Sequence, residues 1–340
     1  MPITASAPAS RASTWTSPCA NSSLDCRIWP SPSTTSPGTR TSSSPAPPYC
    51  PSPGEACKET AVDSAFDNLA PAYERTAQHM PFREHVEAHS LLAVIGDITG
   101  QAVLDLGCGS GLYTRRTKQL GAARAVGIDS SHGMLDHARR LEQQAPLGVT
   151  YLHRDAAHQG PDPMTDHAFD LVIAIHLTPY ATTHDELTGI CRTARRALRT
   201  NGGRFVAACL NPDFNTTPGW YHPYGFDLTC TSTAEGAPVT LHGHLPGQEF
   251  RLTGYYWSTH AHETALAAAG FDHTTWHRPT VSPQGARLHG APYWKPYLDF
   301  PHTLITESTV QPTPRPTGTE QQAGTENLGS RVSARTPPLG

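Results

Sequence analysis

Residues 102–112, which read AVLDLGCGSGL, decide the fold. The apolar run 102–106 predicts a short buried strand, the glycine-rich stretch 107–111 predicts a tight turn, and the next residues predict a helix from Leu112 to about Leu120. A strand, a glycine-rich turn and a helix in this order are typical of open α/β sheets, whose ligands bind at the carboxyl ends of the strands.

The same alternation continues along the chain. Further apolar segments, each typical of a buried strand and separated by helical patterns, are residues 124–128, 149–153, 169–175 and 204–209. One helix is predicted to begin at Thr183, because Glu186 completes a capping box, and to end at residues 201–203. The sequence therefore predicts an α/β fold, a doubly wound Rossmann-like sheet with helices on both faces.

Residues 211–257 interrupt this alternation. They are rich in aromatic residues, His, Pro and Gly, and alternating segments near 226–230, 239–242 and 250–257 predict an antiparallel insertion after strand five. A last helix over about 260–269, ended by Gly270, and a strand over 271–277 follow the insertion.

The two ends of the 340-residue chain differ in composition from its middle. Residues 1–60 are mostly Ser, Thr, Pro and Ala, and residues 307–340 are rich in Thr, Pro, Gly, Gln and Arg. Such segments cannot bury enough apolar surface to offset chain entropy, so both are predicted to be disordered tails. One folded domain is predicted over residues 61–306, and residues 1–60 are expected to contribute nothing to folding or catalysis.

Charge and hydropathy argue against two classes of partner. The net charge of −4 and the pI near 6.5 provide no broad basic surface for nucleic acid. No apolar run approaches the ~20 residues of a membrane span, and the N-terminus lacks the pattern of a signal peptide. The sequence predicts a cytoplasmic protein without a membrane partner, and it leaves the oligomeric state open.

The details of the glycine-rich turn indicate which ligand it binds. Leu112 stands where the dinucleotide fingerprint has a small residue, which disfavours a dinucleotide. Asp105 lies two positions before the first glycine, where its charge would repel a pyrophosphate. The same carboxylate would attract the ammonium and sulfonium groups of S-adenosylmethionine.

Acidic residues at the ends of the next two strands complete this pattern. Asp129, twenty-two positions after Gly107, can accept hydrogen bonds from both ribose hydroxyls. Asp155 and Ala156 are placed to contact the adenine amino group and ring. Met134 either covers the adenine face or belongs to the core.

Three segments together resemble the cofactor-binding motifs of class I S-adenosylmethionine-dependent methyltransferases. They are VLDLGCGSG (103–111), AVGIDSS (125–131) and HRDAAH (153–158), in the order that this family has them. The resemblance covers roughly residues 66–276. It implies cofactor contact by six residues: Asp105, Gly107, Gly109, Asp129, Asp155 and Ala156.

Segments outside these motifs carry two further resemblances. AFDNLAPAYERT (65–76) looks like the N-terminal helix that small-molecule methyltransferases fold over the cofactor, which implies that Tyr73 contacts the methionine end. The alternative is that Tyr73 packs on the sheet. TWHRPTVSPQG (275–285) and YWKPYLDFP (293–301) resemble toxoflavin-type and related antibiotic-pathway methyltransferases.

The methyl acceptor is expected to be small, flat and heterocyclic or aromatic, methylated on nitrogen or oxygen. Methyl transfer depends mainly on proximity and alignment, so a base is optional, and His176 after the fourth strand is the best candidate for one. The aromatic insertion predicts a lid that stacks on the substrate, or a small core of its own. Residues predicted to contact the substrate are Tyr180, Tyr221, Tyr255 and Trp257.

Metal and disulfide sites are not predicted. Four of the eight cysteines lie in the predicted tail, where two C-x6-C spacings could suggest a staple or a metal clip, and the four in the domain have no zinc-ligand spacing. Reduced thiols are the favoured interpretation of all eight. His242 and His244, and likewise His260 and His262, alternate along the chain, but no carboxylate or cysteine lies at ligand spacing. Solvent-exposed or hydrogen-bonding histidines are the favoured interpretation.

Three functions stay open on the sequence alone. The favoured one is a small-molecule methyltransferase that uses S-adenosylmethionine. The others are a non-catalytic module that binds S-adenosylmethionine and a dinucleotide-dependent oxidoreductase.

Overall fold

The apolar segments of the sequence form the centre of one large sheet. The computed structural model describes residue 66 and residues 69–200 and 202–310, all within one unit, Cys57–Gly340. The strands are β1 (Ala102–Leu106), β2 (Arg124–Asp129), β3 (Thr150–His153), β4 (Leu171–Ile175), β5 (Arg204–Leu210), β6 (Phe226–Cys230), β7 (Pro238–Leu245), β8 (Gln248–Tyr255), β9 (His273–His277) and β10 (Thr303–Thr309).

Helices and short helical turns connect these strands. The α-helices are α1 (Ala70–His79), α2 (His89–Ile95), α3 (Leu112–Gln119), α4 (His132–Gln144), α5 (His184–Ala197), α6 (Thr259–Ala269), α7 (Pro283–His289) and α8 (Ala291–Asp299). A π-helical segment spans Arg83–Ala88, and 3₁₀ turns span Thr178–Tyr180 and His222–Tyr224. Among the described residues, no helix is both long and apolar enough to cross a membrane.

The large sheet has the strand order β3-β2-β1-β4-β5-β10-β9, in which β1 to β5 run parallel and β10 is antiparallel to both of its neighbours. Every residue of β1 and β4 is buried, as expected for parallel strands that helices cover on both faces. Strands β6, β7 and β8 form a separate antiparallel sheet. These observations confirm the predicted fold class, including the insertion after strand five.

Helix boundaries follow the local signals in the sequence. Thr183 begins α5, and its side chain accepts a hydrogen bond from the Glu186 backbone amide, which confirms the predicted cap. The carboxylate of Glu186 accepts from the amide of Thr182, one residue before the cap. The helix ends at Ala197, earlier than the predicted stop at residues 201–203, of which Asn201 lies outside the described residues.

The C-terminal part of the domain contains elements that the sequence did not predict. Helices α7 and α8 follow β9. Both carry proline in the first turn, where its missing N–H has no helical partner, and α8 also carries Pro296 in its interior. Strand β10 extends to Thr309, three residues past the predicted domain end at residue 306, so that boundary needs correction. Strand β10 lacks the apolar alternation that predicts a strand, because four of its seven residues are Thr or Ser. The predicted tail 1–60, and residues 311–340 of the predicted tail 307–340, lie outside the described residues.

Candidate functional site

The glycine-rich turn after β1 brings its backbone close to other elements. Gly107, Gly109 and Gly111 have φ angles of 64°, 54° and 78°, a region that other L-residues rarely adopt. A Cβ atom on Gly107 would lie 2.7 Å from Leu177 Cδ1, so a larger residue would have to displace that side chain as well as adopt the left-handed conformation. The result is a tight turn at the carboxyl end of β1, as predicted, in which Gly107 and Gly109 are partly buried.

Asp129 at the end of β2 is tied to this turn. One carboxylate oxygen accepts a hydrogen bond of 2.7 Å from the Gly109 amide, and the other accepts one of 2.9 Å from the Ser131 amide. Asp129 therefore holds the turn in place, with both of its oxygens directed at backbone amides around the turn.

Asp105 lies beneath the same turn and is almost fully buried, with 1% of its surface exposed. Burial raises the pKa of this carboxyl to about 7, although a 2.7 Å hydrogen bond from the Thr114 hydroxyl opposes the shift and the charge of Asp129 adds to it. A cation bound at this place would favour the ionised form.

A cavity opens beside the turn, and we call it the loop cavity. Six of the eight residues predicted to bind the cofactor line it: Tyr73, Asp105, Gly107, Gly109, Asp129 and Met134. Asp155 and Ala156 line an adjoining pocket that shares Gly107 and Asp129 with the loop cavity. The structure thus brings together all eight predicted cofactor residues at one edge of the sheet.

Asp155 is more exposed than the other carboxylates of this edge. Its side chain accepts hydrogen bonds of 2.8 Å from the Ala157 amide and pairs at 2.8 Å with His158 Nδ1. With 54% of the side chain accessible, it can still accept a bond from a ligand in the adjoining pocket.

A second cavity, which we call the apolar cavity, lies next to the loop cavity. Most of its wall is apolar and comes from the three-stranded sheet, the segment after α1 and the end of β5. These residues are Phe226, Leu228, Val239, Leu241, Phe250 and Leu252 from the sheet, Met80 and Phe82 from the segment, and Leu210 from β5. Tyr73, Arg83 and Tyr180 line both cavities, so they form the boundary between them. His176 and His302 contribute polar groups to the apolar cavity.

His176 is held by a buried carboxylate. Its Nε2 lies 2.8 Å from Glu87 Oε2, while Glu87 also pairs with Arg83 at 2.8 Å and accepts a hydrogen bond from Tyr113. Burial alone would raise the pKa of Glu87, but the charges of Arg83 and His176 hold it well below its usual range. Glu87 is therefore ionised and accepts a hydrogen bond from Nε2, so Nδ1 is an acceptor whenever the His176 ring carries a single proton.

His302 stands behind His176 and is uncharged. Its ring lies nearly parallel to that of His176, with centroids 5.9 Å apart, and its Nδ1 is 2.8 Å from the Tyr297 hydroxyl. Burial, and then the charge of His176, lower the pKa of His302 to about 3. His176 itself has a φ angle of 57°, an uncommon conformation for a residue other than glycine.

Sequence reasoning missed Arg83, Glu87 and His302. No motif marks them, and Glu87 meets His176 across a separation of 89 residues. A weak signal existed, because a buried helical stretch rarely contains Arg and Glu unless they are paired.

The four residues predicted to contact substrate have different locations. Tyr180 lines the apolar cavity, but Tyr221, Tyr255 and Trp257 do not. The Tyr221 hydroxyl donates to the Phe300 carbonyl, and the Trp257 indole donates to the Ala181 carbonyl, so both are core residues. Tyr255 packs against the core of the large sheet. The placement differs from the prediction because aromatic composition does not show which face of a strand is turned inward.

The residues of the loop cavity fit S-adenosylmethionine. Asp105 and Asp129 offer carboxylates to cationic and hydroxyl groups, the glycine turn allows close approach, and Met134 provides an apolar wall. A dinucleotide fits poorly, since the buried Asp105 would face its pyrophosphate.

Comparison with known proteins agrees with this geometry. Residues 103–202 match the family model described as a methyltransferase domain. The chain is 27% identical to N-demethylindolmycin N-methyltransferase from Streptomyces griseus over 232 residues, which is 64% of this chain and 86% of that protein. It is 30% identical to the malonyl-[acyl-carrier protein] O-methyltransferase of Hamiltonella defensa, over 44% of this chain and 52% of that protein.

A solved structure has the same fold. The CcbJ methyltransferase from Streptomyces caelestis aligns with a TM-score of 0.51 and 19% identity. The alignment covers 75% of this chain and 100% of that one. The protein is an S-adenosylmethionine-dependent methyltransferase with a mixed α/β Rossmann-like fold.

Proposed function

We propose that the protein methylates a nitrogen or oxygen atom of a small, flat heterocyclic or aromatic metabolite bound in the apolar cavity. The observation that carries this proposal is the shared boundary of the two cavities, since Tyr73, Arg83 and Tyr180 line both. An acceptor in the apolar cavity would therefore lie next to a cofactor in the loop cavity. The relative from Streptomyces griseus is named as an N-methyltransferase, which supports nitrogen as the first atom to test.

The loop-cavity residues would hold the cofactor. Asp129 would accept hydrogen bonds from the ribose, Asp105 would stand near the cationic end, and Asp155 with Ala156 would contact the adenine. Met134 would cover an apolar surface of the ligand. When bound, the cofactor supplies an electrophilic methyl group, and the protein contributes proximity, alignment and exclusion of water.

His176 would act on the acceptor. It lines the apolar cavity, and the bond from its Nε2 to Glu87 leaves Nδ1 able to take a proton from an acceptor N–H or O–H. Glu87 would orient the ring and stabilise its charged form. The apolar wall would exclude water and stack against a flat ring.

The proposal is tested by incubating the protein with methyl-labelled S-adenosylmethionine and a panel of indoles, nitrogen heterocycles and phenols. We expect transfer of label to at least one of them. His176→Ala should lower turnover while leaving the affinity for S-adenosylhomocysteine nearly unchanged. Asp129→Ala should weaken that affinity by at least about tenfold, because it removes hydrogen bonds to a charged group worth about 1.5 to 3 kcal/mol each.

Two outcomes would contradict different parts of the proposal. Binding of S-adenosylhomocysteine without transfer to any compound of the panel would refute the acceptor class. An Asp129→Ala variant with unchanged affinity would refute the ribose assignment.

A further inference from the structure

A group of metal-ligating side chains lies on the three-stranded sheet. It consists of His222 from the 3₁₀ turn before β6, Asp227 on β6 and His244 on β7, and we call it the His-Asp-His group. Asp227 Oδ2 lies 3.1 Å from His222 Nδ1 and 3.0 Å from His244 Nε2. One oxygen of a single carboxylate thus faces two imidazole nitrogens.

Strand alternation places this group away from the apolar cavity. Phe226 and Leu228, on either side of Asp227, line that cavity, so Asp227 points to the opposite face. Leu241 on β7 also lines the cavity. His244 is three positions further along the same strand, so its side chain lies on the opposite face of the sheet. The group therefore belongs to the outer face of the sheet and is separate from the proposed acceptor site.

The distances suit a tetrahedral ion. One ligand atom from each of the three residues lies within 4.8 Å of the other two. Bonds of about 2.0 to 2.1 Å in a tetrahedral zinc site separate neighbouring ligand atoms by about 3.3 Å. The separations of Asp227 Oδ2 from the two imidazole nitrogens, 3.0 and 3.1 Å, are close to this value. Two imidazoles and one carboxylate are ligands that Zn²⁺ and Co²⁺ accept.

Two observations on neighbouring atoms also favour a cation at this group. Glu249 Oε1 lies 3.7 Å from His244 Nδ1, the nitrogen that would not bind the ion, which is too long for a hydrogen bond but places a negative charge beside that imidazole. Asp227 Oδ1 is buried and has no hydrogen-bond partner, so the carboxylate is incompletely satisfied by the protein alone. A cation on Oδ2 would compensate that buried charge.

The other group of this kind is less suitable for a cation. Glu87, His176 and His302 also approach one another, but Glu87 already pairs with the guanidinium of Arg83. A divalent ion there would be repelled by that positive charge.

We infer that His222, Asp227 and His244 bind a divalent transition-metal ion of the Zn²⁺ class, with a fourth position open to water. The ion would join the turn His222–Tyr224 to β6 and β7, and so stabilise the sheet whose inner face lines the apolar cavity. The competing interpretation is a hydrogen-bonded surface network in which both imidazoles donate to Asp227.

The test uses the full chain, stripped of metal with a chelator and titrated with Co²⁺ alone, followed by absorption spectroscopy and calorimetry. We expect saturable binding of one ion to this group, with a spectrum of nitrogen and oxygen ligands and no sulfur charge-transfer band. Saturating Zn²⁺ should raise the melting temperature by at least about 2 °C. His244→Ala and His222→Gln should each abolish that binding and the shift.

His242→Ala is the matched control, because His242 lies on the same strand with the same parity but outside the group. It should bind Co²⁺ like the unchanged protein. The metal-free melting temperature and the affinity for S-adenosylhomocysteine of each variant show whether it is folded. Absence of saturable Co²⁺ binding, equal binding in the folded His244→Ala variant, or binding that disappears on alkylation of the cysteines would each overturn the inference.

Discussion

Asp105 and Asp129 are two carboxylates at one glycine turn with different surroundings. Asp129 accepts two backbone amide bonds, whereas the buried Asp105 has one hydroxyl donor, from Thr114. Burial consequently raises the pKa of Asp105 from 3.8 to about 7. Because the unfolded chain ionises first, this carboxyl destabilises the folded protein as the pH rises between these two values.

The shift predicts a pH dependence of cofactor binding. A cationic ligand near Asp105 favours the ionised carboxylate. Below a pH of about 7 the carboxyl carries a proton, and binding then requires that proton to be released. We expect the affinity for S-adenosylmethionine to fall by about tenfold between about pH 8 and about pH 6, measured by calorimetry. Asp105→Asn keeps an acceptor for Thr114 and should bind more weakly with a much flatter profile. A steep profile in this variant would show that another group is responsible.

Some elements of the fold bring functional residues into position although no local sequence motif identifies those residues. The π-helical segment Arg83–Ala88 has a wider turn than an α-helix, and it buries both Arg83 and Glu87 towards His176. The turn between β1 and α3 is equally constrained. Gly111 precedes α3 with a φ angle of 78°, and a Cβ atom there would lie 2.2 Å from the Tyr151 hydroxyl oxygen.

This geometry predicts different effects for two glycine substitutions. Gly111→Ala adds a clash with Tyr151 to the strain of a left-handed conformation, which costs about 1 to 2 kcal/mol. Gly100→Ala is the control, because Gly100 has a φ angle of 76° and nothing within 4 Å of its would-be Cβ. We expect Gly111→Ala to lower the melting temperature by several degrees more than Gly100→Ala. Equal losses would mean that Tyr151 moves aside at no cost.

At the scale of the whole molecule, β10 joins the end of the domain to its middle. It pairs over its full length with β5, from Thr303 opposite Leu210 to Thr309 opposite Arg204, and it also pairs with β9. Glu307 adds an ion pair of 2.8 Å to Arg204. Without β10, β5 would pair only with β4 and become an edge strand, and β9 would lose its only neighbour in the described sheet.

Two shortened chains test this role. A chain that ends at Val310 should melt within about 2 °C of the full protein and bind S-adenosylhomocysteine equally well, since it keeps every described strand. A chain that ends at His302 lacks β10 and should lose cooperative unfolding, followed by circular dichroism. Cooperative melting of the shorter chain near the temperature of the longer one would show that β10 is dispensable.

The sequence by itself determined the parallel sheet, the glycine turn and the positions of Asp105, Asp129 and Asp155. These features depend on short-range patterns, because strand and helix periodicity identify the elements and each acid follows its own strand. The insertion after strand five was predictable for the same reason.

Only the tertiary structure decided which distant residues meet. Glu87 reaches His176 across 89 positions, and Asp227 meets His222 and His244 through a turn and a strand pairing. The inward or outward direction of the aromatic side chains, and the pairing of the Thr-rich β10 with β5, likewise depend on packing. Local propensity carries no information about such contacts, because they form only when separate elements bury their surfaces against one another.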